Sequence, residues 1–244
     1  MAKESDRLTG VELQRFRDRH DAGARLAERL RDALEARSAV TIYRDDLIVL
    51  ALPRGGVPVA DEVSRALGAP LDLLIVRKLG VPGQEELAFG AIATGGVRIL
   101  NDGLVRALGL DETQIQAVAS REQLELARRE RLYRRDQPPL VVKDKTVIIV
   151  DDGLATGATM RAAVASIRAL APRRIIVAVP VAAPDICREF CSQDHSISCE
   201  CLLTPDDFQA VGEWYDDFSP NIDDEVLHLL ALNRNRLPAG RSHR

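Results

Sequence analysis

Aromatic residues are scarce in this sequence. Phe, Trp and Tyr make up 4% of it, so few rings are available to stack on a flat ligand. Cysteine is sparse too: Cys187, Cys191, Cys199 and Cys201 are the four in a chain of 244 residues. They are too few and too unevenly placed to staple a domain of this size. A basic surplus is also missing. The net charge is −4, with no block of Lys and Arg, which argues against general nucleic-acid binding. Apolar runs stop short of the ~18 residues that a membrane-spanning helix needs. The opening stretch, "MAKESDRLTGVELQRFRDRH", is polar and lacks the apolar centre of a secretory signal. These absences lead us to expect a cytoplasmic chain with no nucleic-acid and no membrane partner.

What is present suits an ordinary core: 46% of residues are hydrophobic and 29% charged. The length fits one domain, 1–244. Helical spacing of Leu13, Phe16, Ala24, Leu26, Ala27, Leu30 and Leu34 predicts a helix over 10–37. Continuous apolar runs predict strands buried on both faces at Leu47–Pro53, Leu71–Lys78, Thr146–Asp152, Arg174–Ala182 and Ser196–Leu203. Helices are expected at 56–68, 111–139, 156–172, 183–191 and 223–234. The glycine-rich stretch 79–96 has little period and reads mostly as loop, with a strand at "AFGAIA". Alternating strands and helices predict an α/β fold: a central, mostly parallel sheet with helices on both faces.

One junction carries the chemistry. In "VIIVDDGLATGATM" (Val147–Met160) a buried strand ends on two adjacent acids and a nearly side-chain-free loop. A nucleotide P-loop needs a lysine after its second glycine, and Ala158 follows Gly157. A receiver-domain acid pair follows the first strand, whereas roughly 150 residues precede this one. A sugar-phosphate cradle explains every part. Ligands sit at the carboxyl ends of parallel strands. Asp151 and Asp152 suit vicinal hydroxyls, and the amides of Ala155–Thr159 at a helix start suit a phosphate.

The stretch resembles the phosphoribosyl diphosphate (PRPP) signature of type I phosphoribosyltransferases. "LALPRGGVPVA" (Leu50–Ala60) is similar to that family's diphosphate loop, with Gly55 and Gly56 freeing the backbone beside Arg54. "IVRKLGVPGQEELAFGAIA" resembles the Arg-Lys strand end and mobile hood loop of adenine-type members. "LPRGG", "DDGLATGAT" and the tail "FQAVGEWYDDF" (Phe208–Phe218) together resemble a group of bacterial phosphoribosyltransferase-like sequences.

The resemblance implies a type I core with a small hood. The core would cover about 38–203, and 10–37 and 204–244 would serve as hood or oligomer elements. PRPP would be held by Gly55, Gly56, Asp151, Asp152, Gly153, Ala155, Thr156, Gly157, Ala158 and Thr159. Arg54, Arg77 and Lys78 would act catalytically by compensating diphosphate charge. Mg²⁺ would be the cofactor, bound by Asp151 and Asp152 directly or through water. A homodimer would be the assembly. The activity implied is phosphoribosyl transfer from PRPP to a small nitrogenous acceptor, and the rival is a PRPP- or nucleotide-sensing protein without turnover. Ala155 stands where 6-oxopurine enzymes keep an aspartate, which turns the expectation away from guanine and hypoxanthine. Glu85 and Glu86 read as a solvated loop tip, and Trp214 and Tyr215 as core or dimer contacts. The four cysteines, with His195 between them, invite a zinc reading, but buried free thiols are the expectation.

Overall fold

The computed structural model describes residues 15–37, 46–135, 137–192 and 196–236. Five strands form a parallel sheet in the order β2-β1-β6-β7-β8. They are β1 (Leu47–Ala51), β2 (Leu71–Leu73), β6 (Thr146–Val150), β7 (Arg174–Val181) and β8 (Ile197–Leu203). Each apolar run is continuous because both of its faces are covered. Leu47, Val49, Ala51, Ile148, Val150, Ile176 and Ala178 pack on one side, with α1 (Arg19–Arg37), α2 (Gly56–Leu67), α4 (Glu112–Tyr133) and α7 (Asp223–Arg236). Ile48, Leu50, Val147, Ile149, Ile175, Val177 and Val179 pack on the other, with α5 (Ala158–Arg168) and α6 (Pro184–Ser192). The expected α/β sheet with helices on both faces is therefore the one observed.

The structure corrects several element boundaries. The run 71–78 is two strands. β2 ends at Leu73 in the parallel sheet, and Val76 opens β3 (Val76–Val81) in a second sheet. Hydrophobicity marks both halves as buried and says nothing about which sheet each joins. The stretch read mostly as loop is also sheet. β3, β4 (Gln84–Ala93) and β5 (Val97–Leu100) form an antiparallel three-stranded unit. Its alternation is hidden because residues 84–87 of β4 are all exposed, while Phe89 is core.

The helix predicted over 10–37 begins at Arg19, and residues 10–14 lie outside the described ones. Phe16 cannot be helical, because its backbone pairs with the tail: its amide donates to the Trp214 carbonyl at 2.9 Å, and its carbonyl accepts from the Asp216 amide at 2.8 Å. The long charged helix starts at Glu112, where Asp111 and Gln114 form a reciprocal capping box. It ends at Tyr133, well before the prolines, and a short α3 (Asp102–Leu108) precedes it.

Candidate active site

β1 and β6 are adjacent parallel strands, with Ala51 opposite Val150. Their carboxyl ends therefore deliver two loops to one place. After β1 come Pro53, Arg54, Gly55 and Gly56, with a cis peptide between Pro53 and Arg54. After β6 come Asp151 and Asp152. The loops touch so closely that only glycine fits the first. A Cβ on Gly55 would lie 2.0 Å from Asp152 Oδ2, and one on Gly56 would lie 2.7 Å from the Val150 carbonyl oxygen. α2 starts there without a side-chain cap; the Gly56 and Val57 amides donate to the Leu52 and Arg54 carbonyls, both at 3.1 Å, so what this turn brings beside the acids is the positive end of the helix dipole.

The acid pair is electrostatically loaded. Burial, and then the Asp152 charge, push the Asp151 carboxyl well above the usual carboxylate range. Burial also raises Asp152, although Arg19 opposes it. Arg19 Nε donates to Asp152 Oδ2 at 2.9 Å, and Arg19 Nη1 donates to the Ser219 carbonyl at 2.8 Å. The same guanidinium sits 3.9 Å from the centroid of the Phe218 ring. Tyr215 Oη donates to the Asp152 carbonyl at 2.6 Å, and burial raises its phenol pKa. Val211 covers Gly153, where a Cβ would meet its Cγ1 at 2.5 Å. The tail motif thus roofs the acids, with Trp214 and Tyr215 buried beside Phe16. Sequence reasoning missed Arg19 altogether, and nothing local separates it from Arg15 and Arg17.

Beyond the acids, Gly157 turns the chain at φ 67° and α5 begins at Ala158, whose amide donates to Thr156 Oγ1 at 3.4 Å. Thr156 and Thr159 are exposed and Ala158 half-buried. The Thr156 carbonyl accepts from Arg161 Nη1 at 2.8 Å, and Arg161 is gripped by both oxygens of Glu189 on α6 at 2.7 Å. The loop is therefore braced from behind by α6. Ala155 is exposed and brings no acid to this mouth.

Arg54 borders a cavity of about 370 Å³ with Pro53, Arg128, Arg129, Tyr133 and Asp223. It lies 3.6 Å from Asp223, which also accepts from Tyr133 Oη at 2.5 Å. Burial, and then that bond, push the Tyr133 phenol up to about 12. Arg77 and Lys78 sit on β3, already engaged. Arg77 Nε and Nη2 both reach Glu122 Oε2, at 2.9 and 2.6 Å, while Lys78 Nζ is 3.8 Å from the exposed Glu86. Glu85 is exposed as well.

A hard divalent cation takes oxygen ligands, and the adjacent carboxylates provide them. Among the described residues Asp151 forms no ion pair, so the two carboxyls could take such an ion.

The cysteines depart from the expectation of buried free thiols. Cys187 and Cys201 form a disulfide, Cys191 is exposed and Cys199 buried. The cause is register. Cys187 and Cys191 stand one turn apart on α6, Cys199 and Cys201 alternate along β8, and α6 packs against β8.

Comparison with known proteins agrees with this geometry. The profile described as "Phosphoribosyl transferase domain" matches residues 18–216. A protein of Mycobacterium tuberculosis named "Putative phosphoribosyl transferase Rv0571c" is 45% identical over 218 residues, covering 89% of this chain and 47% of that relative. The chain thus spans about half the length of this curated relative. The "Bifunctional protein PyrR" of Chloroflexus aurantiacus is 33% identical over 129 residues, 52% of this chain and 65% of that protein. Among solved structures, TT1426 from Thermus thermophilus superposes with a TM-score of 0.77 at 41% identity, covering 89% of this chain and 98% of that one.

Proposed function

Because the chain belongs to the phosphoribosyl transferase domain family, we propose that it transfers the phosphoribosyl group of PRPP to a small nitrogenous acceptor and releases diphosphate. The observation that carries this reading is the close approach of the two loops. Gly55 and Gly56 lie against Asp151 and Asp152, so the starts of two helices, α2 and α5, flank one acid pair. A ligand with a phosphate at one end, a diphosphate at the other and a diol between them matches that order.

In this reading the amides of Ala155–Thr159 hold the sugar's phosphate, and Asp151 and Asp152 bind the ribose hydroxyls. Gly55 and Gly56, with Arg54, receive the diphosphate. Asp151 and Asp152 would also hold Mg²⁺, directly or through water; when bound, the ion neutralises diphosphate charge. The chain's own work is positioning and stabilisation of the leaving group. Among the described residues Lys78 is held by one long contact to an exposed glutamate, a weak tie, so it can turn to the diphosphate. Arg77 must first leave Glu122. The β3–β4 hairpin would close over the reacting atoms and exclude water. We keep the protein cytoplasmic and homodimeric in this proposal.

A guanine or hypoxanthine acceptor is disfavoured, because Ala155 cannot exchange a proton with the ring. We expect little nucleotide formation from either base, and rapid PRPP-dependent formation from guanine would refute that. The rival, PRPP sensing without turnover, draws support from Arg19, which already occupies Asp152. Diphosphate release from PRPP with Mg²⁺, measured against a panel of bases and amines, separates the two. Release with an acceptor supports transfer, whereas PRPP binding without any release supports sensing. If PRPP affinity survives Asp151→Asn combined with Asp152→Asn, the acids do not bind the ribose.

A further inference from the structure

We propose that, in the reduced chain, Cys187, Cys191, Cys199 and Cys201 together bind one zinc ion as a four-thiolate structural site between α6 and β8. The proposal does not depend on the activity above, since none of the four cysteines is among the residues assigned to it.

The sulfurs are already gathered. Those of Cys187, Cys191 and Cys199 lie within 4.8 Å of one another. Cys199 Sγ is 3.4 Å from Cys201 Sγ, and Cys201 is bonded to Cys187. Around a tetrahedral zinc with bonds of about 2.3 Å, sulfurs stand about 3.8 Å apart. All four can therefore reach one centre with small rotamer changes once the bonded pair opens. The two elements supply the geometry: Cys187 and Cys191 one helical turn apart, Cys199 and Cys201 two residues apart on one strand face. Four soft thiolates select zinc over the hard cation suited to the acid pair. Cys191 is exposed, which gives the ion a way in.

Disulfide and metal are alternative states of the same sulfurs. Opening the Cys187–Cys201 bond takes two electrons and two protons from a dithiol reductant, which closes to its own disulfide. Zinc binding then releases the thiol protons to solvent. The site would fix α6, whose Glu189 holds Arg161 and whose Ile186 backs Gly157, where a Cβ would come within 2.8 Å. The metal would thus stand behind the phosphate loop.

The test uses the full chain, reduced with dithiothreitol and freed of metal. On adding cobalt(II), we expect thiolate-to-cobalt charge-transfer bands and intense tetrahedral d–d bands, saturating near about one ion per chain and bleached by one equivalent of zinc. Elemental analysis of protein purified under reducing conditions should find zinc at the same ratio. Cys191→Ser, an exposed and mild change, should weaken zinc binding more than about tenfold. The oxidised protein should bind none. If the reduced wild-type chain gives no cobalt–thiolate bands, or if Cys191→Ser retains full zinc affinity, the site does not exist.

Discussion

At the scale of single residues, the acid pair sets the energetics. Folding raises the Asp151 pKa, through burial and the Asp152 charge, above the value near 4 that it has in the unfolded chain. A folded-state pKa raised above the unfolded one contributes stability that is complete below the unfolded value. That stability is lost as pH rises toward and through the folded value. Asp151→Asn keeps the oxygen that accepts the Asp152 amide and removes the ionisation. We therefore expect the ligand-free variant to melt higher than wild type at neutral pH, by about 2–4 °C for each kcal/mol relieved. Its melting temperature should also vary less with pH, and its PRPP affinity should fall. Thermal scans across pH, paired with PRPP titration, check both halves. A variant that melts lower at neutral pH would show that the carboxylate is not strained. The motif made these acids legible in the sequence. Arg19 was not, because its partner lies 133 positions away and an arginine on an amphipathic helix reads as a solvated one.

At the scale of elements, the parallel strands could be read because burial on both faces leaves an unbroken apolar run. The antiparallel unit could not, because one half of β4 is exposed and its alternation begins only near Phe89. This unit presents Arg77 and Lys78 in unlike ways. Arg77 has two contacts to Glu122, which is 9% exposed and also accepts from Arg121 Nε at 3.2 Å. Among the described residues Lys78 has one long contact, to an exposed partner. Arg77→Ala should therefore destabilise the fold by about 1–3 kcal/mol, the range for hydrogen bonds to a charged group, with Arg121 still paired to Glu122. Lys78→Ala should leave the melting temperature within a degree or so while lowering kcat. Denaturant titration and steady-state diphosphate release would separate them. If both variants lose activity with stability intact, the Arg77–Glu122 pair is a resting arrangement that the diphosphate replaces.

At the scale of the whole molecule, the site draws on both ends of the described chain. The sheet and its two loops come from the middle. The roof comes from Arg19 and Phe16 at one end and from Val211, Tyr215 and Phe218 at the other. The sequence offered the tail motif "FQAVGEWYDDF" without a task for it; its task is to hold Asp152 from above. Phe218→Ala, which removes the ring under Arg19 and leaves α7 in place, should keep the parallel sheet's circular-dichroism signal yet weaken PRPP binding, and unaltered binding would show that the roof is dispensable. The Phe16–Tyr215 bridge also has a consequence in time. During synthesis a chain folds from its amino-terminal end onward, and the two loops can take shape once β6 and α5 have emerged. Phe16 and Arg19 are made well before Trp214 to Ser219 and must wait for them. The nascent protein would thus carry its acid pair uncovered from the emergence of β6 until the tail motif follows, and competence for the ligand would lag behind the folding of the sheet that holds it.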